Sequence, residues 1–430
     1  MNHYSSFPKK FASLFAGVVS LTVFSLSLGL SQSGVGRGEP AVKPGIDVLS
    51  SRNFDILKGK RVGLITNPTG ISWDLQPTVD ILKNAEGVEL VALFGPEHGV
   101  RGDAEGGKYI HSYVDGRTGL PVYSLYGKTR KPTKDMLKGI DVLMYDIQDI
   151  GVRSYTFIST LGLAMEAAAE NDVTFVVLDR PNPLTGLRVE GPMLEMKFKS
   201  FIGMYPIPYV YGMTAGELAE MINMEGWLEN GVKCKLVVVP MEGWKRSMWW
   251  DETGLVWVPT SPHVPHAATP IFYVLTGLLG ELGTANQGVG YTLPFELVGG
   301  PWVDGEKLAD YLNARKLGGV EFRPLSYRPF YFDTSGGRFQ GVQVHVTDRE
   351  RLSMTTVQFT ILDALRKVFP DKDIYERAKP ERIASFDKAV GTSDIRIAHQ
   401  NGKSVDELIR QMDQARALFM IKREKYLLYD

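Results

Sequence analysis

Seven carboxylate side chains in the first half of the chain lie in polar loops that directly follow short apolar runs. They are Glu97, Asp103, Glu105, Asp146, Asp149, Asp179 and Glu190. Two carboxyl groups placed across a bond, one protonated and one ionised, are what the cleavage of a glycosidic bond commonly requires. Burial or a like-charged neighbour raises the pKa of one member of such a pair. The residue types therefore indicate acid–base chemistry by carboxylates.

Glu97 is the best candidate for the acid of such a pair, with Glu190 and Asp146 as candidates for its catalytic partner. Glu97 lies between Pro96 and His98, on a stiff turn directly after an apolar run. The alternative role for Glu97 is a helix cap or a salt bridge. For Asp146 and Asp179 this alternative is stronger, because aspartates at strand ends often cap the next helix or pair with a nearby arginine.

Other polar side chains of the same loops are candidates for binding the substrate. They are Asn67, His98, Arg101, Gln148, Arg153, Tyr155, Asp179, Arg180 and Asn182. In an open α/β sheet, ligands bind outside the carboxyl ends of the strands. Because each of four successive strand ends carries Gly/Pro turns and hydrogen-bonding side chains, the pattern predicts a site at that edge.

Aromatic residues cluster further along the chain and favour a carbohydrate cleft, because aromatic faces cover the apolar faces of sugars. The cluster contains Trp244, Trp249, Trp250 and Trp257, preceded by Tyr205, Tyr209 and Tyr211. For any one of these residues, a place in a packed core is an equally good interpretation.

Other chemistries have weaker signals in the sequence. The metal-ligand candidates are His98, His111, His263 and His266. The last two are not a helical pair, because Pro265 lies between them. No Gly-x-Ser-x-Gly elbow and no glycine-rich phosphate-binding motif occurs. We therefore expect no cofactor and keep a metal-dependent hydrolase as the less favoured alternative.

The apolar runs that precede these loops alternate with helical patterns. Val-, Ile- and Leu-rich runs at 61–66, 88–94, 141–147, 173–178 and 235–239 predict strands buried on both faces. Helices are predicted at 74–85, 156–171 and 214–226, and the last begins with Thr214 and Glu217 at capping-box spacing. This alternation predicts an α/β fold with a doubly wound, mostly parallel sheet over residues 45–255.

The pattern changes in the second half of the chain. Helices are predicted at 269–283, 304–315, 353–369 and 404–424, and strands at 319–323, 329–333 and 339–347. We therefore predict a smaller α+β domain over residues 256–430.

The N-terminus has the layout of an export signal. Lys9 and Lys10 precede an apolar stretch at 11–30, so residues 1–30 are predicted to be a cleaved signal peptide or an N-terminal membrane anchor. Residues 31–44 are predicted to be a linker. We expect an exported protein, periplasmic or extracellular, and the single cysteine, Cys234, excludes an internal disulfide framework.

The charge balance excludes one class of partner. The chain of 430 residues has 48 Lys and Arg against 49 Asp and Glu, a formal net charge of −1. Proteins that bind nucleic acid by neutralising its backbone show a basic excess, so we expect no nucleic-acid partner.

Five motifs, in order and well separated, carry a resemblance to a known family. They are residues 95–102 (Gly-Pro-Glu-His-Gly-Val-Arg-Gly), 145–153 (Tyr-Asp-Ile-Gln-Asp-Ile-Gly-Val-Arg), 178–183 (Leu-Asp-Arg-Pro-Asn-Pro), 190–192 (Glu-Gly-Pro) and 425–429 (Lys-Tyr-Leu-Leu-Tyr). Over residues 45–430 the chain resembles the exo-β-N-acetylmuramidases (NamZ-like, glycoside hydrolase family 171), formerly a bacterial domain of unknown function.

The resemblance implies a Rossmann-like N-terminal domain, a smaller C-terminal domain and a cleft between them. It also implies an exo-acting glycosidase that removes terminal N-acetylmuramic acid from peptidoglycan-derived glycan or muropeptides, with Glu97 as the family's catalytic residue. Such a sugar carries a lactyl carboxylate, for which Arg101, Arg153 and Arg180 are candidates because arginine binds carboxylates bidentately. A non-catalytic protein that binds cell-wall glycans in the same cleft is the alternative.

Overall fold

The computed structural model describes residues 38–102, 108, 111–331 and 337–430. The predicted export segment, linker residues 31–37, and the candidate carboxylates Asp103 and Glu105 lie outside the described residues. Residues Glu39–Asp430 form one unit, in which Val42, within the predicted linker, is fully buried. No helix of the described ranges is long and apolar enough to cross a membrane.

Twelve strands are described in these ranges. In chain order they are β1 (Lys60–Thr66), β2 (Val88–Gly95), β3 (Tyr113–Val114), β4 (Pro121–Ser124), β5 (Val142–Asp146), β6 (Thr174–Leu178), β7 (Glu190–Met193), β8 (Pro208–Val210), β9 (Leu236–Val239), β10 (Leu297–Gly300), β11 (Val320–Tyr327) and β12 (Phe339–Val346).

The α-helices of the same ranges pack around these strands. They are α1 (Gly45–Ser51), α2 (Thr78–Asn84), α3 (Lys134–Leu137), α4 (Phe157–Glu170), α5 (Ala215–Met224), α6 (Thr269–Leu282), α7 (Gly305–Ala314), α8 (Met354–Val368), α9 (Pro380–Val390), α10 (Asp394–Gln400) and α11 (Val405–Arg423).

A seven-stranded sheet with the order β3-β4-β2-β1-β5-β6-β9 forms the centre of the N-terminal half. All neighbours are parallel except β3 and β4. From β1 the chain proceeds outward through β2 and β4 on one side, and through β5, β6 and β9 on the other. The predicted doubly wound sheet is therefore confirmed. The order in which strands are added reverses between β1 and β5, which are themselves parallel neighbours.

The predicted elements of this half are confirmed, because their local signals are strong. Strand β5, for example, is buried along its whole length, as its continuous apolar run predicts. Helix α5 begins with the predicted capping box, in which the Glu217 amide donates to the Thr214 hydroxyl at 3.2 Å and the Thr214 amide donates to Glu217 at 3.0 Å. Strands β3, β4, β7 and β8 were missed, because β3 has only two residues and each of the other three contains a proline that interrupts its apolar run.

The C-terminal half is the predicted α+β layer, built on the antiparallel sheet β10-β12-β11. Helices α6, α7, α8 and α11 match the predictions, whereas β10, α9 and α10 were missed. The predicted strand at 329–333 is wrong over 329–331, which form no strand. There the Phe330 amide donates to the Gly290 carbonyl at 2.7 Å, outside any ladder. Residues 332 and 333 lie outside the described residues.

The two halves share one hydrophobic core at the carboxyl edge of the large sheet. Ile150, Val152 and Leu184, from the loops after β5 and β6, pack in the same cluster as the inner faces of α6 and α8. The end of the chain also returns to the N-terminal half, because the Tyr429 hydroxyl donates to Asp179 at 2.6 Å. The loops that follow β5 and β6 therefore contact both the helices of the C-terminal half and the last residues of the chain.

Candidate active site

A pocket of about 250 Å³ lies where the carboxyl ends of β2, β4 and β5 meet the C-terminal half. Its N-terminal wall consists of Glu97, His98, Tyr126, the segment 154–157 and Ile202, and its C-terminal wall of Ser261, His263, Val264, Tyr273 and Phe295. This is the cleft between the halves. It brings together three predicted site residues, Glu97, His98 and Tyr155.

The position of Glu97 is set by the turn that follows β2. His98 and Gly99 both adopt the left-handed conformation, with φ of 71° and 77°. A positive φ is uncommon for a residue with a side chain, so the turn holds Glu97 in one orientation. The Thr156 hydroxyl, at the N-cap of α4, donates to Glu97 Oε2 at 2.8 Å. One carboxylate oxygen is thereby fixed at the start of a helix.

Two phenol hydroxyls accompany this carboxylate. The pKa of Tyr126 is raised by burial and by the charge and hydrogen bond of Glu97, while Arg130 opposes the shift. Burial raises the pKa of Tyr155, whose hydroxyl lies 2.8 Å from Thr260 Oγ1. Both phenols are therefore protonated at neutral pH, and a phenol O–H can donate to a ligand oxygen.

The remaining wall is aromatic, with a few polar tips. Tyr273 packs edge-on against Tyr155 at 5.8 Å and against Phe295 at 4.9 Å between ring centroids, and its hydroxyl lies 3.3 Å from Ser154 Oγ. Burial lowers the pKa of His263, and nearby His98 lowers it further, so the His263 imidazole is neutral at neutral pH. Aromatic faces, hydroxyls and a carboxylate together suit a polyhydroxylated ring.

Asp146 and Arg180 do not line this pocket. The Asp146 carboxylate is fully buried and accepts from Arg180 Nε at 2.5 Å and Nη2 at 3.0 Å, and from the Thr78 hydroxyl at 2.5 Å. The pair joins the ends of β5 and β6, and Asp146 lies beside the end of β1, where the strand order reverses. Asp146 thus has the structural role, pairing with an arginine, that the sequence analysis weighed against catalysis.

Asp179 and Glu190 stabilise helix ends away from the pocket. Asp179 accepts from the Gly216 amide at the start of α5 at 2.8 Å, and burial raises its pKa to about 6. Glu190 accepts from the Thr355 amide at the start of α8 at 3.0 Å, and burial raises its pKa as well. Each carboxylate meets the positive end of a helix dipole.

Two of the predicted carboxylate-binding arginines are held by partners of their own within the described structure. Arg101 pairs with Asp115 at 2.8 Å. Arg153 is fully buried, which lowers its pKa to about 10, and it donates to backbone carbonyl oxygens. Those carbonyls belong to Pro192, Ile207, Ala389 and Val390. With Arg180 held by Asp146, none of the three predicted arginines lines the pocket.

Of the three predicted amide residues, Asn67 stabilises its own turn, and Gln148 and Asn182 connect neighbouring loops. Asn67 Oδ1 accepts from the Thr69 amide at 3.0 Å, Gln148 Nε2 donates to the Pro181 carbonyl at 2.6 Å, and Asn182 Nδ2 donates to the Met213 carbonyl at 2.9 Å. All three amides are buried. None of the three lines the pocket.

The aromatic cluster is a packed core, the second of its two interpretations. Trp244, Trp249 and Trp250 are buried, and Trp250 packs edge-on against Trp257 at 4.8 Å. Tyr205, Tyr209 and Tyr211 are each about 1% exposed. None of these seven residues is among the lining residues of the pocket.

Comparison with known protein families matches the two halves of the chain separately. The N-terminal model of exo-β-N-acetylmuramidase NamZ matches residues 62–268, and the C-terminal model matches residues 271–429. The chain belongs to the NamZ family.

Relatives of this NamZ family member match along most of its length. It is 43% identical over 420 residues to the peptidoglycan β-N-acetylmuramidase NamZ of Bacillus subtilis (strain 168), covering 97% of this chain and 99% of the relative. Two crystal structures of DUF1343 family proteins from Bacteroides fragilis NCTC 9343 are similar. One is 50% identical with a TM-score of 0.86, covering 91% of this chain and 99% of that one. The other is 31% identical with a TM-score of 0.71, covering 90% and 99%.

Several lining residues of this NamZ pocket were missed in the sequence. Tyr126 follows β4, whose residues Pro-Val-Tyr-Ser form no continuous apolar run. Ser261 belongs to none of the motifs of the sequence, and His263 was considered only as a metal-ligand candidate. Among the described residues, no three His, Cys, Asp or Glu side chains are grouped closely enough to hold a metal ion.

Proposed function

We propose that the protein is an exo-acting glycoside hydrolase that releases terminal β-linked N-acetylmuramic acid from the non-reducing end of peptidoglycan fragments. The observation that carries the proposal is that Glu97, the residue that the resemblance predicts to be catalytic, lies in the wall of a sugar-sized pocket between the two halves. The near full-length similarity to a peptidoglycan β-N-acetylmuramidase supports the same substrate class.

In this proposal Glu97 is the general acid that protonates the glycosidic oxygen, and afterwards the base that activates water. Thr156 holds one of its oxygens at 2.8 Å, so the carboxyl group is oriented before the substrate arrives. The phenol of Tyr155 is a protonated donor in the same wall. It is placed to hold a sugar hydroxyl or the acetamido oxygen.

Glu97 is the carboxylate among the described lining residues of the pocket. This composition supports a substrate-assisted route, in which the acetamido carbonyl of the sugar attacks the anomeric carbon. The bond to the leaving oxygen then breaks while Glu97 supplies the proton, and water reopens the cyclic intermediate. No protein nucleophile is required in that route.

Hydrolysis of a chromogenic β-N-acetylmuramide tests the catalytic assignment. We expect wild-type protein to release the chromophore and Glu97→Gln to lower kcat by roughly 10²–10⁴-fold, the usual contribution of a general acid. The matched control is Glu89→Gln on the exposed start of the same strand, which leaves kcat unchanged. A Glu97→Gln variant with near-wild-type kcat overturns the assignment. Binding of a muropeptide by wild-type protein without release of free sugar would identify a non-catalytic glycan-binding protein instead.

We also propose that the protein is exported to the periplasm or the extracellular space, and that residues 1–30 are the export signal or membrane anchor. The support is the pair Lys9 and Lys10 followed by an apolar stretch of about 20 residues, as long as a membrane-spanning helix. Cell fractionation with N-terminal sequencing tests this. A mature N-terminus after residue 30 indicates a cleaved signal, an intact N-terminus in the membrane fraction indicates an anchor, and an intact cytoplasmic protein overturns the proposal.

A further inference from the structure

The proposed substrate carries a negatively charged carboxylate, and none of the three arginines predicted to bind it lines the pocket. N-acetylmuramic acid differs from N-acetylglucosamine by a lactyl ether that ends in a carboxylate. Backbone amides or an arginine close to a sugar bound beside Glu97 can discriminate between the two sugars by this carboxylate, and arginine binds it with charge and a bidentate fork. Arg101, Arg153 and Arg180 are each bound to partners of their own.

Arg130 lies beside the pocket, in the loop between β4 and α3. Its guanidinium carbon lies 4.1 Å from the ring centroid of Phe201 and 5.3 Å from that of Tyr126. The two rings are themselves 5.9 Å apart. Tyr126 lines the pocket, as does Ile202, the neighbour of Phe201. The arginine thus stacks on two rings at the pocket wall, one of a lining residue and one of a lining residue's neighbour.

The charge of Arg130 is available to a ligand. Its side chain is exposed, and among the residues that the structure describes no carboxylate lies within ion-pair distance of it. The Tyr126 hydroxyl interacts with Glu97 and with Arg130, so the guanidinium and the carboxylate flank the same phenol. The imidazole of His263 is neutral at neutral pH and supplies no permanent charge there.

We propose that Arg130 binds the lactyl carboxylate of N-acetylmuramic acid and thereby selects this sugar over N-acetylglucosamine. This inference rests on the proposed function. Arginine presents a planar fork that matches a carboxylate bidentately. Because Phe201 and Tyr126 already hold the guanidinium, little side-chain entropy is lost when the carboxylate binds. Arg130 is a specificity residue in this scheme, and Glu97 performs the chemistry.

Steady-state kinetics on the chromogenic β-N-acetylmuramide give the first test. We expect Arg130→Met to raise KM by about 10–100-fold, the range for losing a charge-assisted pair of hydrogen bonds, with kcat within about threefold of wild type. Arg130→Lys retains the charge without the fork and gives a smaller rise. The matched control is Arg315→Met, because Arg315 is also exposed and packs on a tyrosine ring, Tyr311 at 5.7 Å, on helix α7. It leaves KM unchanged.

Calorimetric binding of free N-acetylmuramic acid and of its lactyl amide separates this inference from the proposed function. Wild type binds the acid more tightly than the amide, and Arg130→Met binds both equally. Equal binding by wild type, or preference for the acid in Arg130→Met, overturns the role of Arg130 even where hydrolysis is normal. An Arg130-dependent preference in a protein that does not hydrolyse the muramide upholds the binding role and refutes the proposed function.

Discussion

Replacing Asp146 by asparagine tests whether this strand-end carboxylate is structural or catalytic. The variant leaves the Arg180 guanidinium, about 5% exposed, without its carboxylate partner. Removing one member of a buried ion pair costs about 3–5 kcal/mol, because the remaining charge stays buried. Native domains are stable by about 5–15 kcal/mol, so the variant remains folded at 25 °C but unfolds at a lower urea concentration. We expect kcat per folded molecule to be unchanged.

A double-mutant cycle with Arg180→Met makes this test sharp. Each single variant leaves one buried charge without its partner, whereas the double variant removes both charges. Its loss of unfolding free energy is therefore smaller than the sum of the single losses by about 2 kcal/mol or more. Equilibrium urea unfolding and kcat of Asp146→Asn, measured on the same preparation, decide the matter. Additive losses refute the ion-pair reasoning, and a wild-type unfolding midpoint with kcat reduced 10²-fold or more identifies Asp146 as catalytic.

Three further outcomes are expected. Glu190→Gln lowers the free energy of unfolding by about 1 kcal/mol, as for a weakened helix cap, with kcat unchanged; a large fall in kcat contradicts the capping role. Burial raises the pKa of Asp179 from 3.8 to about 6 in the folded protein. The contribution of this group to the free energy of unfolding is therefore present at low pH and is lost as pH rises through 6. Tyr429→Phe removes a donor to the ionised carboxyl and destabilises more at pH 8 than at pH 4.5; an equal loss in urea unfolding at both pH values contradicts this. Exhaustive chelation leaves the hydrolysis rate unchanged, and a loss restored by added metal supports the metal-dependent alternative.

The elements of the large sheet could be predicted because their signals are local. The five apolar runs become β1, β2, β5, β6 and β9, and the Thr214–Glu217 capping box forms as its spacing predicts. Strand β4, with four residues, has no comparable signal. Tyr126, which follows it, is consequently a pocket residue that the sequence did not reveal.

The residues of the candidate site likewise fall into those with a local sequence signal and those without one. Glu97 could be identified from its own turn, because Pro96 on one side and the left-handed His98 and Gly99 on the other shape the backbone locally. The roles of the other carboxylates and arginines depend on partners far away in sequence. Arg153 donates to the carbonyl of Val390, and Glu190 accepts from the amide of Thr355.

The sequence by itself therefore determined the strand–helix alternation, the edge at which the loops gather, and the turn that presents Glu97. Only the tertiary structure decided which of the polar groups at that edge face the pocket and which hold the scaffold. The physical reason is that a buried charge must find a partner, and the strand order and the packing of the C-terminal half decide where that partner lies. Arg153 and Arg180 are held in that way, whereas Arg130, stacked on two aromatic rings at the pocket wall, is the arginine from which we expect substrate recognition.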